Sequence, residues 1–170
     1  MSTVFVTGGT GALGRHVVTR LRERGDEVRV LSRRWGAGTH VGDLNTGAGV
    51  TDAARGAELV VHAASDTRRF GRADLRQTEH LLKAAKDAEH LLYVSIVGID
   101  SIPYAYYRHK LACEQSIASS GVPYTILRAT QFHELIGWLM RAAERLPVAP
   151  LPLDFRFQTV AADEVAARTA

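Results

Sequence analysis

Seven residues near the amino terminus, Gly8-Gly9-Thr10-Gly11-Ala12-Leu13-Gly14, contain four glycines. The apolar run Val4-Phe5-Val6 leads into them, and Leu13, Val17, Val18 and Leu21 follow at helical spacing. Strand, glycine turn and helix, in that order, form the context in which a glycine fingerprint binds a dinucleotide. Gly9, Gly11 and Gly14 fit G-x-G-x-x-G, while Gly8, Gly11 and Gly14 fit G-x-x-G-x-x-G. One glycine permits a tight reversal, one lets backbone approach a pyrophosphate, and one lets the helix pack closely on the strand. The helix N-terminus adds free amides and the positive end of its dipole. The whole stretch Gly8 to Gly14 is thus the expected phosphate-binding turn; the competing reading is a glycine turn without a ligand.

Further polar residues stand where strands should end. Val30-Leu31 is followed by Ser32-Arg33-Arg34. An NAD-selective site would place Asp or Glu near this point to accept from the ribose 2′-hydroxyl. A hydroxyl and two planar guanidinium forks suit a 2′-phosphate instead. This favours NADP(H), with NAD as the second choice, and one of the two arginines is expected to be merely solvated. Asp43, in Gly42-Asp43-Leu44, either accepts from an adenine amino group or caps a turn. Ala63 and Ala64, in His62-Ala63-Ala64-Ser65, either let a cofactor lie against backbone or serve strand–helix packing.

Tyr106 and Lys110 are four residues apart and share a face if helical. An ammonium beside a phenol would stabilise the phenolate and lower its pKa towards a range useful for proton transfer. Tyr107 lies close to the same face. Ser95, one element upstream, is placed to hydrogen-bond a substrate carbonyl. The seven histidines show no metal-ligand spacing, since His133-Glu134 lacks the second histidine of a zinc helix. His62 and His133 read as packing or polar-edge residues, and Cys113 as a small packing residue. No metal is expected.

The elements that must position these groups follow from periodicity. Strand patterns fall at 3–7, 27–32, 58–62, 90–96 and 123–128, and helical patterns at 12–24, 73–88, 105–120 and 131–145. Helical patterns between most of the strands predict a parallel sheet covered on both faces. Six residues separate Ser32 from Thr39, too few for a helical crossover. Thr39-His40-Val41 is therefore either a short strand reached by a stretched loop, the favoured expectation, or not a strand. On 131–145, Leu135, Ile136, Leu139 and Met140 read as a core face, with Trp138 off that stripe and turned to a pocket or partner. The expected fold is an α/β Rossmann-type, doubly wound parallel sheet forming one domain over 1–170.

The bulk numbers agree. A chain of 170 residues is long enough for one real core. The net charge of +3 comes from scattered basic residues, so no nucleic-acid partner is expected. Cys113 is the single cysteine, which excludes a disulfide framework and suits a reducing compartment. No long apolar run or leader-like segment stands out, so a cytoplasmic location and no membrane association are expected. An oligomer is compatible with this composition.

Together these motifs resemble the short-chain dehydrogenase/reductase superfamily, and within it the atypical NmrA-like NAD(P)-binding proteins, often called nucleoside-diphosphate-sugar epimerase-like. The resemblance runs through Val6 to Gly14, Leu31 to Arg34, Gly42-Asp43-Leu44, Val60 to Ala64, Tyr93 to Gly98, Tyr106 to Leu111 and Leu127 to Phe132. It implies cofactor contacts from Leu44, Ser65 and the segment Arg128 to Phe132 as well. It gives Tyr106 the acid/base role, and gives Lys110 the tasks of binding the nicotinamide ribose and tuning the tyrosine. It implies an NADP(H)-dependent oxidoreductase acting on a carbonyl or quinone. The alternative is a non-catalytic NADP(H) sensor that engages a regulatory protein partner. Two departures are visible. The superfamily's hydroxyl pair at the end of strand five reads Ser95-Ile96 here, and the step from Ser95 to Tyr106 is short. Relatives usually continue into a small C-terminal substrate region, expected here to be short or absent, or supplied by the loop Leu146 to Leu153.

Overall fold

The computed structural model describes residues 1–134, 137, 140, 141, 144 and 158–170. Its framework is a six-stranded, wholly parallel sheet in the order β3-β2-β1-β4-β5-β6. The strands are β1 (Thr3–Thr7), β2 (Glu27–Ser32), β3 (Thr39–Val41), β4 (Leu59–His62), β5 (His90–Ile96) and β6 (Tyr124–Ala129). Helices α1 (Gly14–Glu23), α2 (Val50–Ala54), α3 (Asp74–Ala84) and α4 (Ala105–Ala118) make the crossovers, and α5 (Ala162–Thr169) follows. A two-stranded parallel pair, β7 (Gln131–Phe132) with β8 (Thr159–Val160), lies apart from the main sheet.

Period-two alternation sends successive strand residues to opposite faces, and both faces are covered. Phe5, Val60, Leu91 and Tyr93 pack with Val50, Leu81, Cys113 and Ile117 of α2, α3 and α4. Val4, Val6, Val30, Val61 and Val94 pack with Val17, Val18 and Leu21 of α1 and Val165 and Ala166 of α5. Double burial explains why the central strands read as unbroken apolar runs.

The short strand at Thr39–Val41 is present, paired with β2 from Val30↔Thr39 to Ser32↔Val41 and reached without a helix. Several short elements were not predicted, among them α2, β7 and β8. Helix α2 is five residues long, too short to register a helical period. Strands β7 and β8 have two residues each, and β7 occupies the start of the predicted helix 131–145. Met140, expected in a core face, is 58% exposed. Leu135, Ile136, Trp138, Leu139 and the loop Leu146 to Leu153 lie outside the described residues.

Candidate functional site

Crossovers on both sides of β1 bring one set of loops to the carboxyl ends of the strands, the place where open α/β sheets bind ligands. The glycine turn occupies the centre. Gly8 has φ +73°, and a Cβ there would come within 2.6 Å of the backbone of Ala63 and Ala64. The turn and the end of β4 therefore meet backbone to backbone. A Cβ on Gly14 would strike the Gly8 carbonyl, and one on Gly9 would reach 2.7 Å from Val30. Gly11 differs: it is exposed, and its only close neighbour would be the Gly8 carbonyl oxygen at 3.2 Å. Among the described residues, the amides of Thr10, Ala12 and Leu13 have no hydrogen-bond partner. Free amides at a helix N-terminus, beside the exposed Gly11, fit a pyrophosphate.

Around this turn, Ser32 Oγ accepts the amide of Arg34 at 3.1 Å. Both arginines are exposed, and Arg33 lines a shallow depression with Val41, Gly42, Asp43, Ala48 and Gly49. Asp43 Oδ1 accepts the amide of Asn45 at 2.8 Å and its side-chain Nδ2 at 3.1 Å, so its turn-capping role is realised in the fold. Leu44 is core, 7% exposed, and its carbonyl bonds His80 Nδ1 at 2.7 Å. Ala63 and Ala64 each pack against one of the two cores. Sequence reasoning missed Arg15 and Arg22, which with Thr10 and Gly38 line a second depression beside the turn.

Tyr106 is brought to the end of β4. Its hydroxyl lies 2.9 Å from Ser65 Oγ, and Ser65 Oγ donates to Asp74 Oδ2 at 2.6 Å. Asp74, only 2% exposed, also accepts the Asp66 amide at 2.7 Å. Gly71 (φ +71°) passes so close that a Cβ would lie 2.8 Å from the Tyr106 ring. Phe70, Tyr104, Tyr106 and Tyr107 form an edge-to-face cluster with centroids 5.5–6.4 Å apart. Tyr107 turns aside, its hydroxyl accepting Gln131 Nε2 at 3.1 Å. Asp74 was invisible in the sequence because an aspartate at a helix start reads as a first-turn charge.

Two expectations fail in their details. Lys110 does not tune Tyr106: it is 3% exposed, its Nζ donates to the Val94 carbonyl at 3.0 Å, and it sits 4.2 Å from the Tyr93 ring centre. Nor is the Tyr106 phenol lowered. Burial pushes it up to about 12, the Ser65 hydrogen bond opposes that, and the Asp74 charge adds to it. Ser95 Oγ is buried without a hydrogen-bond partner among the described residues. His62 is a satisfied buried polar residue: its Nδ1 pairs with Thr7 Oγ1 at 2.7 Å and its Nε2 with Thr78 Oγ1 at 3.1 Å. At the end of β6, Arg128 bridges Glu114 at 2.6 Å and Asp100 at 2.5 Å.

Residues 8–137 match the family described as NAD(P)H-binding. The chain belongs to that family. The NAD(P)H-binding match covers the glycine turn, Tyr106 and Lys110 alike. The chain is 33% identical over 167 residues to divinyl chlorophyllide a 8-vinyl-reductase of Oryza sativa subsp. indica, covering 80% of this chain and 41% of that protein. It is 26% identical over 164 residues to the photosystem II assembly factor Ycf39 of Trieres chinensis, covering 86% of this chain and 51% of the other. The chain thus spans about half the length of these curated relatives. In fold it is similar to triphenylmethane reductase of Citrobacter sp., solved with NADP(H), with a TM-score of 0.78 at 19% identity over 98% of this chain and 63% of that one. The family is thus NAD(P)H-binding, in line with the cofactor that the short-chain dehydrogenase resemblance implies. No helix among the described residues is long and apolar enough to cross a membrane.

Proposed function

We propose that this protein is an NADP(H)-dependent oxidoreductase of the NmrA-like type that reduces a carbonyl or quinone. The observation that carries the reading is the Tyr106 hydroxyl, held 2.9 Å from Ser65 at the end of β4, the strand whose last residues abut Gly8. A bound reduced nicotinamide would supply the hydride. The chain's own residues bind, orient and move a proton. The amides of Thr10, Ala12 and Leu13 would receive the pyrophosphate, and Arg33 or Arg34 the 2′-phosphate. Tyr106 would give its proton to the substrate oxygen. Its phenol, pushed up by burial to about 12, is protonated at neutral pH, as any tyrosine is and as an acid must be. Ser95 would assist at the substrate, and the segment from Arg128 would flank the nicotinamide.

The test is NADPH oxidation against a panel of quinones and aldehydes, with Tyr106→Phe as control. Turnover that falls by about 10²-fold or more in the variant supports the reading. Tight NADPH binding with no turnover on any substrate would instead favour a sensor. One observation favours that second reading: Lys110 is committed to Val94 and Tyr93 rather than to Tyr106.

A further inference from the structure

Hydrogen-bond polarity around Ser65 is settled by the chemistry of its neighbours. Asp74 Oδ1 accepts the Asp66 amide at 2.7 Å, and Oδ2 lies 2.6 Å from Ser65 Oγ. An ionised carboxylate only accepts, and a serine hydroxyl has one proton. Ser65 therefore commits that proton to Asp74, and its oxygen can only accept from Tyr106, 2.9 Å away. With Asp74 ionised, the Tyr106 proton points inward and a lone pair faces the site. Protonation of Asp74 reverses each bond: Asp74 donates to Ser65, Ser65 donates to Tyr106, and the Tyr106 proton faces the substrate.

We infer that Asp74 is a positioning residue that sets, through Ser65, whether Tyr106 offers the substrate a proton or a lone pair. The inference rests on the oxidoreductase reading above. In reduction, a hydride from the reduced nicotinamide reaches the carbonyl carbon and the oxygen gains the electron pair. The Tyr106 proton moves to that oxygen, the Ser65 proton to Tyr106, and the Asp74 proton to Ser65. Tyr106 and Ser65 end as they began, Asp74 ends ionised, and the product is a neutral alcohol. Alcohol oxidation runs the same chain backwards into an ionised Asp74. The groups that act on Asp74 are Tyr106, Lys110 and Cys113 from α4 and Tyr93 from β5, with Lys110 the cation among them.

Asp74→Asn isolates the effect. The Asn oxygen keeps the Asp66 amide, so its NH₂ faces Ser65 and locks the chain outward. Where reduction by the unmodified protein falls with rising pH, about tenfold per unit as one proton requires, the variant should lose that limb. Alcohol oxidation by the variant should fall about 100-fold. Ser65→Ala should slow both directions, and Ser65→Thr should restore them. A readout independent of turnover is the ultraviolet titration of the Tyr106 phenol, taken as the difference from Tyr106→Phe. Asp74→Asn should lower it from about 12, because a negative charge is lost and the phenolate gains a donor. An unchanged pH profile with an unchanged phenol titration would overturn the inference while leaving the oxidoreductase reading intact. If the unmodified protein turns over nothing, that reading fails, and the phenol titration alone decides whether Asp74 governs Tyr106. Should Asp74→Asn not fold, Ser65→Ala within about twofold of the unmodified protein in both directions overturns the inference.

Discussion

Gly14 opens α1 directly against the carbonyl of Gly8, so closely that a single added methyl would collide with it. Gly11, three residues earlier, is exposed, and a Cβ there would lie 3.2 Å from the Gly8 carbonyl oxygen, a far milder contact. The two glycines of one fingerprint therefore have separable roles, one in packing and one at the ligand. Gly14→Ala should destabilise the fold by about 3 kcal/mol, the upper end for overpacking, because the obstacle is backbone and cannot rotate away. Gly11→Val should leave the denaturation midpoint within about 1 kcal/mol while abolishing NADPH binding by titration. Retained affinity in Gly11→Val would remove the phosphate site from this turn.

Cofactor choice is tested at the end of β2. Both arginines are exposed and free to reach a 2′-phosphate. A charge-assisted hydrogen bond contributes about 1.5–3 kcal/mol, so NADPH should bind about 10- to 150-fold more tightly than NADH. The double change Arg33→Ala, Arg34→Ala should erase most of that gap. Equal affinities in the unmodified protein, measured by fluorescence titration, would make both arginines solvent-facing only.

His62 makes the fold acid-sensitive. Burial, with the Lys110 charge second, lowers its pKa from 6.5 to about 3. The unfolded chain therefore binds a proton that the folded chain refuses. Its contribution is fully present above about pH 6.5 and is lost as pH falls towards about 3. By linkage, the domain should be about 2 kcal/mol less stable at about pH 5 than at neutral pH. Urea denaturation at the two values measures this, and His62→Gln should flatten the difference. A profile unchanged by the substitution would assign the acid sensitivity elsewhere.

Arg128 joins two carboxylates of different burial. The Glu114 side chain is 7% exposed and that of Asp100 is 54% exposed. Removing the arginine strands the buried Glu114 charge, whereas removing Asp100 leaves Arg128 still paired with Glu114. Arg128→Met should cost about 2 kcal/mol, less than a fully buried pair because the arginine itself is 34% exposed. Asp100→Ala should cost clearly less than Arg128→Met, because an exposed ion pair is screened by water. Thermal unfolding of the two variants gives the comparison, and equal losses would contradict the asymmetry.

The sequence by itself determined the strand order's raw material: Val4 to Val6, Leu59 to Val61 and Leu91 to Val94 read as doubly buried strands because burial on both faces removes polar alternation. It also placed Thr39–Val41, because six residues of connection exclude a helix and leave only a stretched loop. The glycine turn was legible because its requirements are local, resting on backbone geometry within seven residues. Helix α2 was not legible, since one and a half turns carry no period. The partners of Tyr106 were not legible either. Tyr106 and Lys110 share a helix, and sequence spacing alone paired them. Tertiary packing instead gave Lys110 to Val94 and Tyr93, and gave Tyr106 to Ser65 and Asp74, 41 residues back in the first case. A hydrogen bond between crossovers depends on where two loops meet above the sheet, and no spacing along one chain encodes that meeting. Spacing fixes which residues share a face; only the packed fold decides what lies opposite that face.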